Sequence, residues 1–482
     1  MNNEQQYFYQ ALCSRDNRFD GRFFVGVTST GIYCRPVCRV KTPKLANCRF
    51  FESQAAAETQ GFRPCLRCRP ELAPGLSSID SSRLLARQAA QLIDDGTMLA
   101  CDINGLANRM GVTTRHLRRI FANELGVSPL NYLRTRRLLT AKTLLTDTRL
   151  PIIEIASASG FGSLSQFNAT FQQHYRLTPS QLRKEVKTRS NANDIMINLH
   201  YREPYDWQTM LAFLGKRALD GVEYADGSRY RRTLSFRHRG ADYSGWIEVT
   251  KPDSQPVLNL ALSSTLAKVT PQVIHRIRAL FDLDADPEPI LNALGPTAVN
   301  PGLRVPGSVD GFELAVRAVL GQQVSLAAAR TLLGRLVIRA NQTVDCEHAE
   351  LTHRFPSPQQ LLTLDDEAIG QCGITRRRVQ SLKMLAAAVL EGRLILDQSA
   401  PLPSTLEMLL AIPGIGPWTA NYIAMRALRW PDAFLVGDYA IKKSVGLYSE
   451  KAIEAVSEQW RPWRAYALMQ LWQQFEREDK PS

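Results

Sequence analysis

Apolar positions between residues 77 and 190 recur with helical spacing, and the whole pattern occurs twice. Shifting the segment by 50 residues sets Ile103 on Ile153, Leu117 on Phe167, Phe121 on Phe171, Val127 on Leu177 and Pro129 on Pro179. Preserved apolar positions at a fixed offset predict two similar helical units. Each reads as a helix, a glycine-bearing turn and a second helix. In the first unit Leu117, Ile120 and Phe121 mark an inward face, and Arg115, Arg118 and Arg119 an outward one; in the second, Ser163, Ser165, Gln166 and Asn168 face outward. From 191 to 290 the period shortens. Strand-like runs at 195–200, 231–237, 246–249 and 258–262 alternate with helices near Pro204 and Pro271, which predicts an α+β unit. Beyond 291 the pattern is helical, and 312–338 is its longest clear helix.

Near the C-terminus two helical patterns meet at Pro413-Gly414-Ile415-Gly416-Pro417. This predicts a very tight glycine hairpin. Without Cβ atoms at 414 and 416, backbone N–H groups at the start of the second helix lie open to an anion such as a DNA phosphate. On that second helix Trp418 and Tyr422 fall four apart on one face. Asp438 follows the apolar run 433–436, so an acid and two aromatics can line one pocket. Asp438 is equally well suited to cap the helix that starts at Tyr439, and the two roles are compatible.

At 482 residues the chain exceeds one hydrophobic core and implies three or four domains. It has no apolar run long enough to span a bilayer and no signal pattern at its start, so it is expected to be cytoplasmic. The net charge is +13, and its distribution matters more than its size. Residues 1–76 hold 11 Lys/Arg against 6 Asp/Glu, residues 77–190 hold 16 against 8, and the remainder balances at 32 each. A basic N-terminal half points to nucleic acid.

Four of the nine cysteines form a pattern. Cys34 and Cys38 make one short chelating pair, Cys65 and Cys68 another. Four thiolates satisfy a tetrahedral Zn2+ with no open position, which by spacing alone describes a structural zinc site. Cys13 and Cys48 stand outside it.

Three resemblances sharpen these readings. The words GRFFVGVTSTGIYCRPVCR and GFRPCLRCRPE resemble the N-terminal domain of the Ada methylphosphotriester-repair proteins. That resemblance implies that Cys34 is the methyl acceptor, a metal-held thiolate attacking the methyl of an uncharged phosphotriester. Losing a thiolate charge would lower repulsion from DNA, and Arg35, Arg39, Arg63, Arg67 and Arg69 would hold phosphates. The repeated helical unit resembles the AraC/XylS DNA-binding domain, which implies base reading by Arg115, Arg118, Arg119 and Gln166, with RNA polymerase as an activator's partner. PGIG-x-WTANYIAMRAL, PDAF-x-x-x-D-Y-x-IKK and WRPWRAYALMQLW resemble the helix-hairpin-helix DNA glycosylases, within them the 3-methyladenine glycosylase II (AlkA) branch; EPYDWQTMLAFLGKRALDGVE resembles the first domain of AlkA.

The glycosylase resemblance implies Asp438 as the required acid and Gly414 and Gly416 as the DNA-backbone clamp. Trp418, Tyr422 and Trp472 become the cage for a flipped cationic base. Gln323 falls at the wedge position, where the family has leucine. A monovalent cation would sit on the carbonyls of Leu410, Ile412 and Ile415. Trp418 occupies the place of the Schiff-base lysine of bifunctional relatives, so a monofunctional glycosylase is expected. The Pro-Cys-His-Arg site of O6-alkylguanine transferases is missing around Cys346 and Cys372.

The expectation is a multidomain α+β chain: a small zinc domain (1–76), an all-α double helix-turn-helix (77–190), an α+β subdomain (191–290) and an all-α helix-hairpin-helix glycosylase domain (291–482). Its partners are double-stranded and alkylated DNA, with no membrane. The competing reading is a methylation-sensing transcription activator whose C-terminal half binds damaged DNA without excising bases.

Overall fold

In the computed structural model, residues 3–478 are described apart from 16–18, 21–22, 52–53, 69, 71–77, 95, 97, 99–101, 149, 186–194, 239 and 254. The expected divisions at 76/77 and 190/191 lie outside the described residues.

The N-terminal lobe carries a four-stranded sheet in the order Cys48–Phe51, Phe24–Val27, Ile32–Cys34, Arg63–Pro64, antiparallel except for the last pair. Its apolar residues form small separate clusters, one around Phe19, Phe23 and Val25 and another around Phe24, Tyr33 and Phe62. So little apolar surface in so short a segment is the situation in which a bound metal supplies folding energy.

The two predicted helical units are present. The first pairs Ile103–Arg109 with Thr114–Leu125 and the second pairs Ile152–Ala158 with Leu164–Tyr175. Thr113 and Ser163 cap the two second helices, accepting from the amides of His116 and Gln166. Between the units runs one continuous helix, Pro129–Asp147. Its Leu133 belongs to the core of the first unit, with Leu117, Ile120 and Phe121. Its Leu138, Ala141 and Leu144 belong to a larger core that takes in Phe167 and Phe171 of the second unit, the five-stranded sheet and the C-terminal helices.

That sheet is antiparallel throughout, in the order Ile195–His200, Val257–Leu262, Ala241–Thr250, Arg229–His238, Glu223–Ala225. Helix Trp207–Arg217 follows Pro204, and helix Thr270–Leu280 carries Pro271 in its first turn, as the two prolines predicted. Two strands, Arg229–His238 and Ala241–Thr250, run longer than the apolar alternation predicted and pair along their whole length, with Arg231 and Glu248 ion-paired across them. The edge strand Glu223–Ala225 carried no sequence signal.

One expectation fails locally. The run 312–338 is two helices, Gly311–Leu320 and Leu326–Ala340, separated by a turn. Gln323 adopts φ 54° there, and Ser325 caps the second helix by accepting from Ala328 N. A capping serine after a left-handed residue outweighs the apolar periodicity on either side. Around this turn the helices Arg376–Leu390, Leu402–Leu410 and Pro417–Arg426 share a second large core.

Candidate active site and metal centre

The hairpin connects helix Leu402–Leu410 to helix Pro417–Arg426. Gly414 sits at φ 91°, and a Cβ there would come 2.7 Å from Ser381 Oγ, so only glycine fits. Gly416 is different. It caps the second helix without any side chain, and a Cβ at 416 would meet nothing within 4 Å. The absent side chain therefore leaves the amides of the helix start open to an approaching group.

Twenty residues after Trp418, Asp438 caps helix Tyr439–Val445, accepting from Ala440 N at 3.0 Å and Ile441 N at 3.3 Å. The same carboxylate accepts from Trp418 Nε1 and from Trp472 Nε1, each at 3.1 Å. All four partners are neutral N–H donors, which orient the carboxylate while leaving its charge uncompensated. Trp418 stacks on Tyr422 with ring centroids 5.2 Å apart and planes 9° from parallel. One turn on, Arg426 donates to the Tyr422 phenol at 2.6 Å and to the carbonyls of Pro306 and Gly307 at 2.7 and 2.9 Å. Burial alone would raise the Tyr422 phenol, but Arg426, Arg217 and Arg317 outweigh it and hold the group below its ordinary value.

These residues line a cleft of about 1330 Å³, together with Phe213, Tyr439 and Met469. Its inner wall is a buried ion cluster. Arg232 bonds Glu313 at 2.8 Å and Glu223 at 3.1 Å, and Arg317 bonds each of those carboxylates at 2.6 Å. Burial would raise Glu223, but Arg317 and Arg232 hold it at about 2. Sequence reasoning missed this wall and the Arg217 and Arg426 pair: Glu313 and Arg317 fall four apart on one helix, but Glu223, Arg232, Arg217 and Arg426 come from other elements that no spacing links to it.

Gln323, the expected wedge, is exposed in the 321–325 turn beside the cleft, whose lining includes its neighbours Gly321 and Val324. The preceding residue was not singled out. Gln322 donates through Nε2 to Gly414 O and to Thr419 Oγ1, each at 2.8 Å, and its own carbonyl accepts from Arg378.

In the N-terminal lobe, the parallel pairing of Tyr33 with Pro64 places Cys34 beside Cys65. The four sulfurs of Cys34, Cys38, Cys65 and Cys68 lie within 4.8 Å of one another, and all four residues are buried. Hydrogen bonds from Cys34 and Cys68 hold Cys38 down at about 2, while hydrogen bonds with Cys38 and Cys68 push Cys34 up. Four crowded sulfurs share protons in this way unless a cation compensates them, and their number and softness fit zinc.

Two of the five arginines expected on phosphates are engaged elsewhere. Arg35 is 1% exposed; it donates through Nε to Asp20 at 2.7 Å and through its guanidinium to Cys68 O at 3.3 Å, bracing the cysteine cluster from inside. Arg39 donates to Asn123 O at 2.6 Å and pairs with Glu124 at 2.8 Å, so it holds the last turn of helix Thr114–Leu125. Arg63 and Arg67 are exposed. Arg69 lies outside the described residues.

On the helical units, Arg115, Arg118 and Arg119 are exposed, with Arg119 within 3.0 Å of His116 Nδ1. Gln166 is exposed too, but its amide oxygen accepts from Gly162 N at 3.3 Å, folding the side chain back on the turn.

Four family profiles tile the chain. The metal binding domain of Ada matches residues 7–71, a helix-turn-helix domain 106–185, the AlkA N-terminal domain 196–310, and the HhH-GPD superfamily of base excision DNA repair proteins 316–462. A probable bifunctional transcriptional activator/DNA repair enzyme AlkA of Mycobacterium tuberculosis is 38% identical over 98% of this chain and 97% of its own length. The DNA-3-methyladenine glycosylase 2 of Escherichia coli is 37% identical over 58% of this chain and 96% of its own. Among solved structures, a 3-methyladenine DNA-glycosylase from Archaeoglobus fulgidus shares the fold of the C-terminal part: TM-score 0.50 and 18% identity, over 58% of this chain and 98% of that one.

Proposed function

We propose how the work is divided in a chain that belongs to the family of bifunctional transcriptional activator/DNA repair enzymes, in which an Ada-type zinc domain and a helix-turn-helix domain precede a DNA glycosylase of the AlkA type. The chain is a DNA-binding repair enzyme that hydrolyses the N-glycosidic bond of alkylated bases of the 3-methyladenine kind. The division proposed is 1–76, 77–190, 191–290 and 291–482.

The observation that carries the reading is Asp438 with one indole N–H on each oxygen. A base alkylated at N3 or N7 is cationic. Extruded from the duplex, it stacks against Trp418, Tyr422 and Trp472 by cation–π attraction. The C–N bond breaks with its electron pair going to the base, which thereby becomes neutral and needs no protonating acid. Positive charge develops on the sugar, and the Asp438 carboxylate stabilises it until water adds and loses a proton. Trp418 has no amine to form a Schiff base, so the strand is left uncut. Gly414 and Gly416 present the hairpin amides to a phosphate, and the carbonyls of Leu410, Ile412 and Ile415 would hold a monovalent cation that adds positive charge there. Gln323 fills the gap left by the base.

In the zinc domain Cys34, Cys38, Cys65 and Cys68 would hold the metal, which would keep sulfur deprotonated at neutral pH. The Cys34 sulfur attacks the methyl carbon of a phosphotriester; an S–C bond forms, the C–O bond breaks, and its electron pair leaves on the phosphodiester. No water strips the thioether, so each protein acts once. The Arg115, Arg118 and Arg119 face and Gln166 then read promoter DNA, with RNA polymerase as the partner and the cytoplasm as the setting.

Asp438→Asn tests the reading against that of an activator which binds without excising. Free 3-methyladenine released from methylated duplex is expected to fall roughly 10²- to 10³-fold, while methyl capture on Cys34, read by mass spectrometry of the same protein, stays intact. Equal release from both proteins would remove the acid from catalysis.

A further inference from the structure

We infer that Gln322 is a positioning residue for base extrusion, holding the 321–325 turn in register with the hairpin. The inference rests on the reading of Gln323 as the residue that fills the vacated stack.

Two devices must act at one place on the duplex. The hairpin fixes the backbone, and the turn enters the stack. They are separate in sequence, and the turn is a break between two helices with a left-handed residue at its centre. Such a turn has no ladder of its own to hold it. Gln322 closes the gap by placing both Nε2 hydrogens on hairpin acceptors: the carbonyl of Gly414 at the tip and the hydroxyl of Thr419 beside Trp418. Thr419 is 3% exposed and Gly414 is pinned against Ser381, so neither acceptor yields readily.

A third element completes the frame. Helix Arg376–Leu390 reaches the hairpin through Ser381, whose hydroxyl bonds Pro413 O, and reaches the turn through Arg378, which bonds Gln322 O. Turn, hairpin and helix thus form a closed triangle of hydrogen bonds in which Gln322 supplies two corners. The side chain of Gln323 follows directly on this braced backbone. Its height above the DNA is therefore set by the element that grips the phosphates, and a displacement of about 1 Å in such a placement costs up to 10²-fold in rate.

The test uses the full chain and three readouts: affinity for undamaged duplex, fluorescence of a 2-aminopurine as the extruded base, and single-turnover release of 3-methyladenine. Gln322→Glu keeps the volume and loses the donors. It should leave undamaged-duplex affinity within roughly twofold, since phosphate contacts supply that binding, and lower extrusion and release together by roughly tenfold to a hundredfold. Arg378→Lys retains one donor to the Gln322 carbonyl and should lose less than Arg378→Ala, which opens the triangle without touching Gln322 and serves if the Gln322 variant fails to fold. Unchanged release in Gln322→Glu would overturn the inference, as would a fall in undamaged-duplex affinity by the same factor as release, which would mean that the clamp itself had collapsed. Gln323→Ala separates the two ideas. If it leaves extrusion unchanged, the wedge reading fails and the positioning inference fails with it; if it lowers extrusion while Gln322→Glu does not, only the positioning inference fails.

Discussion

The two helix-turn-helix units have matching apolar patterns and are held in opposite ways. The first has a core of its own, closed by Leu117, Ile120, Phe121 and Leu133. It meets its neighbours mainly through polar groups: Arg39 on the end of helix Thr114–Leu125, Gln88 on Ser399 O, and Gln91 against His275. The second unit has no separate core. Phe161, Phe167 and Phe171 are buried in the same cluster as Ile197, Leu260 and Trp430 of the C-terminal half. A repeat in sequence predicts a repeat in local fold, and it is silent on attachment, because attachment depends on which partner covers each face. Apolar fusion is non-directional and strong, whereas polar contacts respond to pH and salt. The first unit is therefore the adjustable one, and it is the unit that Arg39 joins to the zinc lobe.

The largest test of this contrast lies in two equivalent phenylalanines, Phe121 and Phe171, both fully buried. Replacing either by alanine should cost about 3–5 kcal/mol. Phe171→Ala is expected to lower the temperature at which base release is lost, and Phe121→Ala to leave that temperature unchanged while melting the first unit alone. Equal effects on release would erase the distinction.

Next in size is the seam at His275. Burial first, then Arg429 nearby, holds its imidazole down at about 4, with Asp284 and Asp397 opposing and Arg276 assisting. The unfolded value is about 6.5. The folded state thus binds fewer protons, so this stabilisation is fully present above about pH 6.5 and is lost as pH falls toward 4, on the order of 3 kcal/mol in all. Hydrogen exchange in helix Ser78–Asp94, which carries Gln91, should quicken between pH 7.5 and 5.5 relative to exchange in helix Leu164–Tyr175. A uniform change in both would assign the effect to the whole molecule.

The smallest effect belongs to Arg39. Its ion pair with Glu124 is partly exposed, and Arg39→Ala should cost about 0.2–1 kcal/mol. The loss should appear as faster amide exchange in the last turn of helix Thr114–Leu125 and should fade in high salt.

Much of the cleft was legible in the sequence because its chemistry is concentrated in short words. The glycine hairpin, the Trp418 and Tyr422 face and the placement of Asp438 before a helix all follow from local spacing, and the structure brings these three side chains to one wall. Capping and cleft-lining, which the sequence left open as two roles for Asp438, coexist in one carboxylate. The ion cluster of Glu223, Arg232, Glu313 and Arg317 was invisible, since charges on an alternating strand and an amphipathic helix read as solvated until the strand and helix are packed together. The break at 321–325 was hidden for the opposite reason: apolar residues continue through it at helical spacing. Arg35 and Arg39 show the limit of reading charge near a site as contact with a ligand, for both are occupied within the protein.

Helix Pro129–Asp147, 19 residues long and shared by both cores, behaves as a gauge bar. At 1.5 Å per residue it spans roughly 28 Å, not far from one turn of B-form duplex at about 34 Å. Because each end is sunk into a different core, the helix sets the spacing between the two outward faces, and any adjustment of the first unit turns about that bar. A promoter whose two half-sites are spaced by a few base pairs more or fewer must twist or curve to be read by both, and the energy of that deformation becomes part of the selectivity.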